Sequence, residues 1–218
     1  MTLIQRLKTS GPVQILGWAC LLLGCVGLAT TLANLPRAAP KAHIASHILT
    51  ESSPKPNASE VAAFTVPAGD PRYIAIPAIG LANTPVLSFG LSSDGTIETP
   101  NSIYVTGWYS GSSKPGQSGA MFIYGHIASW TKYSIFANLS KLQPGNQILI
   151  TRGDNTIFRY EVVLLRTYQY NDVDMGQVLS AVTPGDPGLN LMTCAGQVIS
   201  AAGAKVYSQR LVVFTKQI

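Results

Sequence analysis

The chain has 218 residues, a formal net charge of +5, 46% hydrophobic residues and only 11% charged residues. This length suffices for one domain with an additional segment and is short for two full domains. The basic residues are scattered rather than clustered with aromatic residues, which argues against nucleic-acid binding. Frequent glycine and proline, together with short apolar segments, favour a turn-rich β protein over a helical bundle.

The first predicted element is an uncharged apolar run over residues 13–35. An α-helix of about 20 residues spans about 30 Å, the thickness of the bilayer hydrocarbon. Arg6 and Lys8 precede the run, which favours a cytoplasmic N-terminus, although Arg37 and Lys41 follow it. We predict a short cytoplasmic segment over 1–12 and a transmembrane anchor over 13–35. The protein would then be a single-pass protein of the cell membrane, with its globular domain extracytoplasmic.

A cleaved signal peptide is the alternative interpretation of this run. Its apolar region would be shorter, at about 7–15 residues, but Ala38, Ala39 and Ala42 offer small residues near a cleavage site. The following residues, 36–70, are rich in Pro, Ala, Ser and Thr and are predicted to be an extracytoplasmic linker, because such a composition buries little apolar surface.

The folded domain is predicted over residues 71–218. Its apolar segments are short and are separated by turn signals such as Pro144-Gly145-Asn146. Short helices are predicted at Tyr133–Ser140 and Val173–Leu179. Strands at this spacing with few helices favour a closed β-barrel. The predicted strands are Tyr73–Ile76, Ala120–Tyr124, Gln147–Arg152, Thr156–Leu165, Leu189–Thr193 and Leu211–Thr215.

Cys194 is the only cysteine outside the apolar run, and it follows the predicted strand Leu189–Thr193. In an exported domain it has no partner for an internal disulfide, so it is a reactive thiol, an intermolecular link or a small buried apolar residue. The end of a strand is a rigid position for a nucleophile. The next residues, Ala195 and Gly196, leave space for a substrate backbone.

Two further residues could assist a thiol. His126 is the only histidine of the predicted domain, and it also follows a predicted strand. Histidine is the commonest proton partner of a cysteine nucleophile, although a lone histidine is more often a surface or core residue. Arg210 begins the last predicted strand; its guanidinium can stabilise an oxyanion, or it can be a solvated charge at a strand edge.

Other chemistries lack their motifs. The sequence has no closely spaced Cys/His set for zinc, no glycine-rich phosphate loop and no Gly-x-Ser-x-Gly turn. We therefore predict neither a metal nor a cofactor.

Several collinear motifs make the region 71–218 resemble the sortase family. Leu191-Met192-Thr193-Cys194 resembles the Leu-x-Thr-Cys signature of this family, and Tyr124-Gly125-His126 resembles its histidine segment. Arg210 before Leu-Val-Val-Phe is similar to its catalytic arginine. Further segments resemble class F members in particular; they are Trp108-Tyr109, 114–119, 136–139 and 142–146. Asp70-Pro71 resembles the lid motif of class C members, but Arg72 follows it and it adjoins the first predicted strand, which argues against a lid.

The resemblance implies an all-β fold, an eight-stranded closed sortase-type β-barrel with one or two short helices. It implies a cysteine transpeptidase that cleaves a Leu-Pro-x-Thr-Gly-like sorting signal between Thr and Gly and transfers the protein to a cell-wall amine acceptor. Cys194 would be the nucleophile, His126 the acid and base, Arg210 the oxyanion or backbone ligand, and Thr193 a substrate-positioning residue. L,D-transpeptidases also use such residues, but their Ser-x-Gly-Cys neighbourhood is missing.

Two alternatives to transpeptidation remain open from the sequence. One is a peptide-binding extracytoplasmic module without chemistry. The other is a hydrolytic cysteine peptidase of the same fold, in which water resolves the thioester. The predicted partners of the transpeptidase are sorting-signal proteins, a cell-wall precursor amine and, through the N-terminal helix, the membrane.

Overall fold

The computed structural model describes residues 54–128, 133–201 and 203–218. The predicted cytoplasmic segment 1–12 and transmembrane anchor 13–35 lie outside these residues. In the part of the chain that is described, no helix is long and apolar enough to cross a membrane.

The described residues form a closed barrel of eight strands in the order β1-β2-β3-β4-β7-β8-β6-β5. The pairs β2–β3 and β4–β7 are parallel, and the other neighbours are antiparallel. This confirms the predicted all-β barrel with few short helices. The strands are β1 Pro71–Ile76, β2 Leu81–Phe89, β3 Thr106–Tyr109, β4 Gly119–Tyr124, β5 Gln147–Arg152, β6 Ile157–Gln169, β7 Pro187–Ala201 and β8 Ala204–Gln217; the α-helices are α1 Ala58–Ala63 and α2 Met175–Val178, and 3-10 helices lie at Pro77–Ile79 and Leu139–Lys141.

Side chains from all eight strands meet inside the barrel, because successive residues of a strand point to opposite faces. On β7, Leu189 and Leu191 belong to this interior cluster, whereas Met192 packs on the opposite face. A second cluster lies on the outside of the barrel, at β3, β4, β7 and β8. We call it the outer cluster; it consists of Ile97, Tyr109, Phe122, Tyr124, Val173, Met175, Val178, Met192, Val212 and Phe214.

The differences from the predicted elements follow from sequence composition. The strands β2 and β3 were not predicted, because β2 contains Asn83, Thr84 and Pro85 and β3 has only four residues. The predicted helix at 133–140 is wrong: the structure has turns there and a 3-10 helix that begins at Leu139. The helix predicted at Val173–Leu179 is confirmed as the shorter α2.

A short helix also lies within the residues predicted to be a linker. Asn57 and Glu60 form a reciprocal capping box that satisfies the first backbone N–H groups of α1. Arg72 on β1 donates to the carbonyls of Ala62 and Phe64 at the other end of this helix. The hydroxyl of Tyr73 donates to the carbonyl of Val61. The helix is thus fastened to β1 by hydrogen bonds, although none of its own side chains is buried.

The residues that lead from α1 into the barrel lie at the end where β4 and β7 begin. Asp70 forms an ion pair of 2.7 Å with Lys114, five residues before β4. The N–H of Gly153 donates to the Asp70 carbonyl at 2.9 Å. His126 and Cys194, by contrast, follow the other ends of the buried parts of β4 and β7. Asp70 therefore lies at the barrel end away from these two residues.

Candidate active site

Cys194 and Arg210 are direct partners in the antiparallel ladder between β7 and β8. Opposite residues of such a ladder present their side chains on the same face, with Cβ atoms about 5 Å apart. Cys194 lies two residues after Met192, so this face is the outside of the barrel, where the outer cluster ends. Cys194 is half-buried rather than enclosed in the interior.

Arg210 is almost fully buried, with 3% of its surface exposed. Its Nη1 donates to the carbonyls of Tyr207 and Gln209 at 3.0 and 2.8 Å. Its Nε is buried and has no hydrogen-bond partner in the described structure. A buried N–H without a hydrogen-bond partner lowers the stability of the fold. This N–H is therefore well suited to donate a hydrogen bond to an oxygen of a bound substrate.

The strand β4 brings His126 to the same site. Its parallel pairing with β7 ends with Tyr124 opposite Met192. The N–H of Gly125 continues this contact by donating to the Met192 carbonyl at 3.1 Å. If the same register continued for two more residues, His126 would lie next to Cys194 on the outer face.

The proton position on His126 follows from its partner. Nε2 lies 2.8 Å from the carbonyl oxygen of Pro100, which can only accept a hydrogen bond. Nε2 therefore donates, and in the neutral ring Nδ1 is the nitrogen that can accept a proton. Burial lowers the pKa of His126 below its ordinary value, and the Pro100 carbonyl acts in the opposite direction.

Burial acts in the opposite sense on the thiol. It raises the pKa of Cys194, while the positive charge of Arg210 lowers it. The two effects on Cys194 and His126 move the pKa values of the pair apart. At neutral pH the resting site is therefore predominantly a thiol beside a neutral imidazole.

Thr193 contacts the histidine-bearing segment. Its hydroxyl donates to the carbonyl of Gly125 at 2.8 Å, and only 3% of its surface is exposed. This bond joins β7 to the chain immediately before His126. A contact of Thr193 with substrate stays a prediction.

Two segments flank the site on the outer face. The connection between β2 and β3 contributes Ile97 to the outer cluster and the Pro100 carbonyl to His126. The connection between β6 and β7 carries α2, and Asn190 of β7 donates to its carbonyls at Val178 and Ser180 at 2.8 and 3.0 Å. Asn190 and Pro100 were not identified from the sequence; no motif marks a backbone acceptor, but a polar residue between the apolar Leu189 and Leu191 is a detectable signal.

A half-buried cysteine, a histidine and a buried arginine at one end of the barrel are side chains that acyl transfer by a cysteine enzyme uses. The sequence profile of the sortase domain matches residues 74–218, about two thirds of the chain. The chain therefore belongs to the sortase family and is a sortase-type cysteine transpeptidase. Sortases in general act on proteins with a sorting signal and on amine acceptors. Among curated proteins, none matches the chain.

Solved sortase structures share the fold. Sortase C of Streptococcus pneumoniae has 23% identity and a TM-score of 0.56, over 91% of this chain and 89% of that chain. Sortase C-1 of Actinomyces oris has 20% identity and a TM-score of 0.55, over 92% and 98% respectively. A sortase D5 transpeptidase of Clostridium perfringens has 24% identity and a TM-score of 0.50, over 68% and 79%. At these identities the likeness shows the fold alone.

Proposed function

We propose that this sortase is a membrane-anchored transpeptidase that cleaves a Leu-Pro-x-Thr-Gly-like sorting signal between Thr and Gly and joins the protein to a cell-wall amine. The observation that carries the proposal is the cross-strand pairing of Cys194 with Arg210 on the outer face, beside the strand that bears His126. A peptide can reach this face without entering the barrel.

The reaction proceeds in two steps, acylation of Cys194 and transfer of the acyl group to the amine. The Cys194 thiolate attacks the threonine carbonyl carbon, and the C–N bond to glycine breaks as the His126 imidazolium protonates the leaving amine. A thioester results, and His126 is left neutral. The acceptor amine then loses a proton to His126 as it attacks the thioester, so an amide forms and the thiolate leaves.

Arg210 stabilises the negative oxygen of both tetrahedral intermediates. Its Nη1 is held by two backbone carbonyls, and its buried Nε has no partner among the described residues. A donor that is already oriented needs little reorganisation as charge develops on the substrate. Thr193 positions the peptide indirectly, through its hydrogen bond to Gly125.

The subclass and location form part of the proposal. The segments around Trp108-Tyr109 and 114–119 support class F. Pro71 directly begins β1, so too little chain separates Asp70-Pro71 from the barrel for this motif to act as a lid. The apolar run 13–35 supports a single-pass anchor with the catalytic domain outside the membrane. An extracytoplasmic domain next to the bilayer can reach lipid-linked cell-wall precursors.

The proposal is tested by incubating the full chain with a small library of sorting peptides, with and without an amine acceptor. Mass spectrometry is expected to find a thioacyl adduct on Cys194 that lacks the C-terminal part of the peptide, and a peptide–amine product when the amine is present. Adduct turnover to free acid alone would identify a hydrolase. Binding of peptide without any adduct would identify a binding module.

The pH dependence of kcat/KM is expected to be a broad bell. Transfer needs the Cys194 thiolate together with the His126 imidazolium. The rate therefore falls at low pH, where both groups are protonated, and at high pH, where both are deprotonated. The acid limb follows His126 and lies below about 6.5, the ordinary imidazole pKa, because burial lowers this pKa. The alkaline limb lies above about 8.5, because burial raises the pKa of Cys194. Initial rates between pH 5 and 10 measure both limbs; an acid limb above 6.5 contradicts the assignment.

A further inference from the structure

The connection between β2 and β3, residues 90–105, forms a wall beside His126 that no sequence motif identifies. Ile97 and Pro100 of this connection are buried against the barrel. The carbonyl of Pro100 is the partner of His126 Nε2, at 2.8 Å. The orientation of the imidazole therefore depends on how precisely this connection is held.

Tyr124 holds the same connection two residues earlier. Its hydroxyl donates to the carbonyl of Glu98 at 2.5 Å, and Tyr124 is 2% exposed within the outer cluster. Burial, with a smaller contribution from the Glu98 carboxylate, raises the pKa of Tyr124 far above its ordinary value. The phenol therefore stays protonated and can donate this bond throughout the working pH range.

Two hydrogen bonds join the end of β4 to the connection between β2 and β3. Tyr124 and His126 are two residues apart at the end of β4, and their partners Glu98 and Pro100 are two residues apart on the facing connection. Each segment therefore fixes the other at two points. Loss of the Tyr124 hydroxyl leaves His126 as the remaining side-chain contact of this pair.

We propose that Tyr124 is a positioning residue, which holds the backbone of residues 98–100 so that the Pro100 carbonyl keeps a proton on His126 Nε2 and leaves Nδ1 as the nitrogen that exchanges protons. The inference rests on the proposed catalytic role of His126. A backbone carbonyl here does what a carboxylate or amide does in other catalytic pairs: it selects the tautomer and favours the imidazolium. Among the described residues, the charged or titratable groups at this site include Cys194 on β7, Arg210 and Tyr207 on β8, Tyr168 on β6 and Glu98 on the facing connection.

Imidazole nitrogen spectroscopy tests the tautomer without any need for activity. The full chain has three histidines, His43, His47 and His126, so selective labelling with nitrogen-15 histidine gives three rings, and a His126→Asn variant assigns the third. Above the pKa, His126 is expected to carry its proton on Nε2. A ring protonated on Nδ1 in the unmodified protein overturns the proposal.

The variant Tyr124→Phe tests the positioning role. We expect a smaller fraction of the Nε2–H tautomer, an acid limb of kcat/KM displaced to lower pH, and kcat reduced about five- to tenfold, as for a weakened hydrogen bond in a catalytic pair. KM for the sorting peptide should change little. The displacement to lower pH follows because the Pro100 carbonyl raises the pKa of His126.

The matched control is Tyr73→Phe. Tyr73 is also a buried tyrosine, and its hydroxyl also donates to a backbone carbonyl, that of Val61, but on β1. This control should leave the tautomer, the pH profile and kcat unchanged. If Tyr124→Phe also leaves them unchanged, Tyr124 has no positioning role. If His126→Asn retains full activity, the proposed function fails instead, so the two failures are distinguishable.

Discussion

Replacement of Cys194 by alanine is expected to abolish transfer of a sorting peptide to an amine, with a loss of about a thousandfold or more, as when a nucleophile is removed. The thioester cannot form without the sulfur, and the other strand partner of Arg210, Tyr168 on β6, carries no thiol. The barrel should remain folded, because Cys194 is partly exposed and its removal leaves no large interior cavity. Peptide turnover and the thermal midpoint measure the two effects separately.

The matched control for this variant removes the other two thiols of the chain. A Cys20→Ala, Cys25→Ala double variant should transfer peptide at the rate of the unmodified protein, because both cysteines lie in the N-terminal apolar run. Retention of transfer by Cys194→Ala would remove the nucleophile assignment. Loss of transfer in the double variant would show that the reaction depends on a thiol outside the barrel.

Replacement of Arg210 by alanine is expected to lower kcat/KM by about a hundredfold to a thousandfold, the range for loss of one oxyanion donor. It should also raise the pKa of Cys194 further, because the guanidinium charge that favours the thiolate is removed. The inflection in the rate of Cys194 alkylation by iodoacetamide should move to higher pH. The same alkylation inflection in both proteins would contradict the electrostatic role.

Arg166→Ala is the matched control for Arg210→Ala. Arg166 on β6 pairs with Val212, two residues from Arg210 along β8, and its Nη1 donates to the side chain of Gln177 at 2.8 Å. It is exposed, so its charge is screened by solvent. Its removal should leave the alkylation inflection in place, which separates a specific charge beside the sulfur from a general decrease in positive charge.

Strand positions were predictable where burial was continuous. The runs 120–124 and 189–193 are largely apolar because side chains on one face of β4 and β7 belong to the interior cluster and side chains on the other face belong to the outer cluster. The strand β2 was not predicted, because Asn83 and Thr84 followed by Pro85 are typical of a turn. α1 escaped because a proline-rich composition outweighed Asn57 and Glu60, whose spacing is that of a capping box.

The candidate site was predictable only as a set of residue types. The motifs around Cys194, His126 and Arg210 named three residues, but pairing across strands and the choice of face depend on the closed barrel. Arg210 illustrates the difference, since a charge at the start of an apolar strand is usually solvated, and here it is buried. The role of the Pro100 carbonyl could not be predicted from the sequence, because every residue has a backbone carbonyl.

The fastening of α1 to β1 bears on how the protein responds to mechanical force. A pull along the chain from its N-terminal side meets Arg72, Tyr73 and the Asp70–Lys114 pair before it reaches the strands that hold the thiol. These contacts lie at the barrel end away from Cys194 and His126. We therefore expect tension from the N-terminal side to load first the contacts that the proposed reaction does not use.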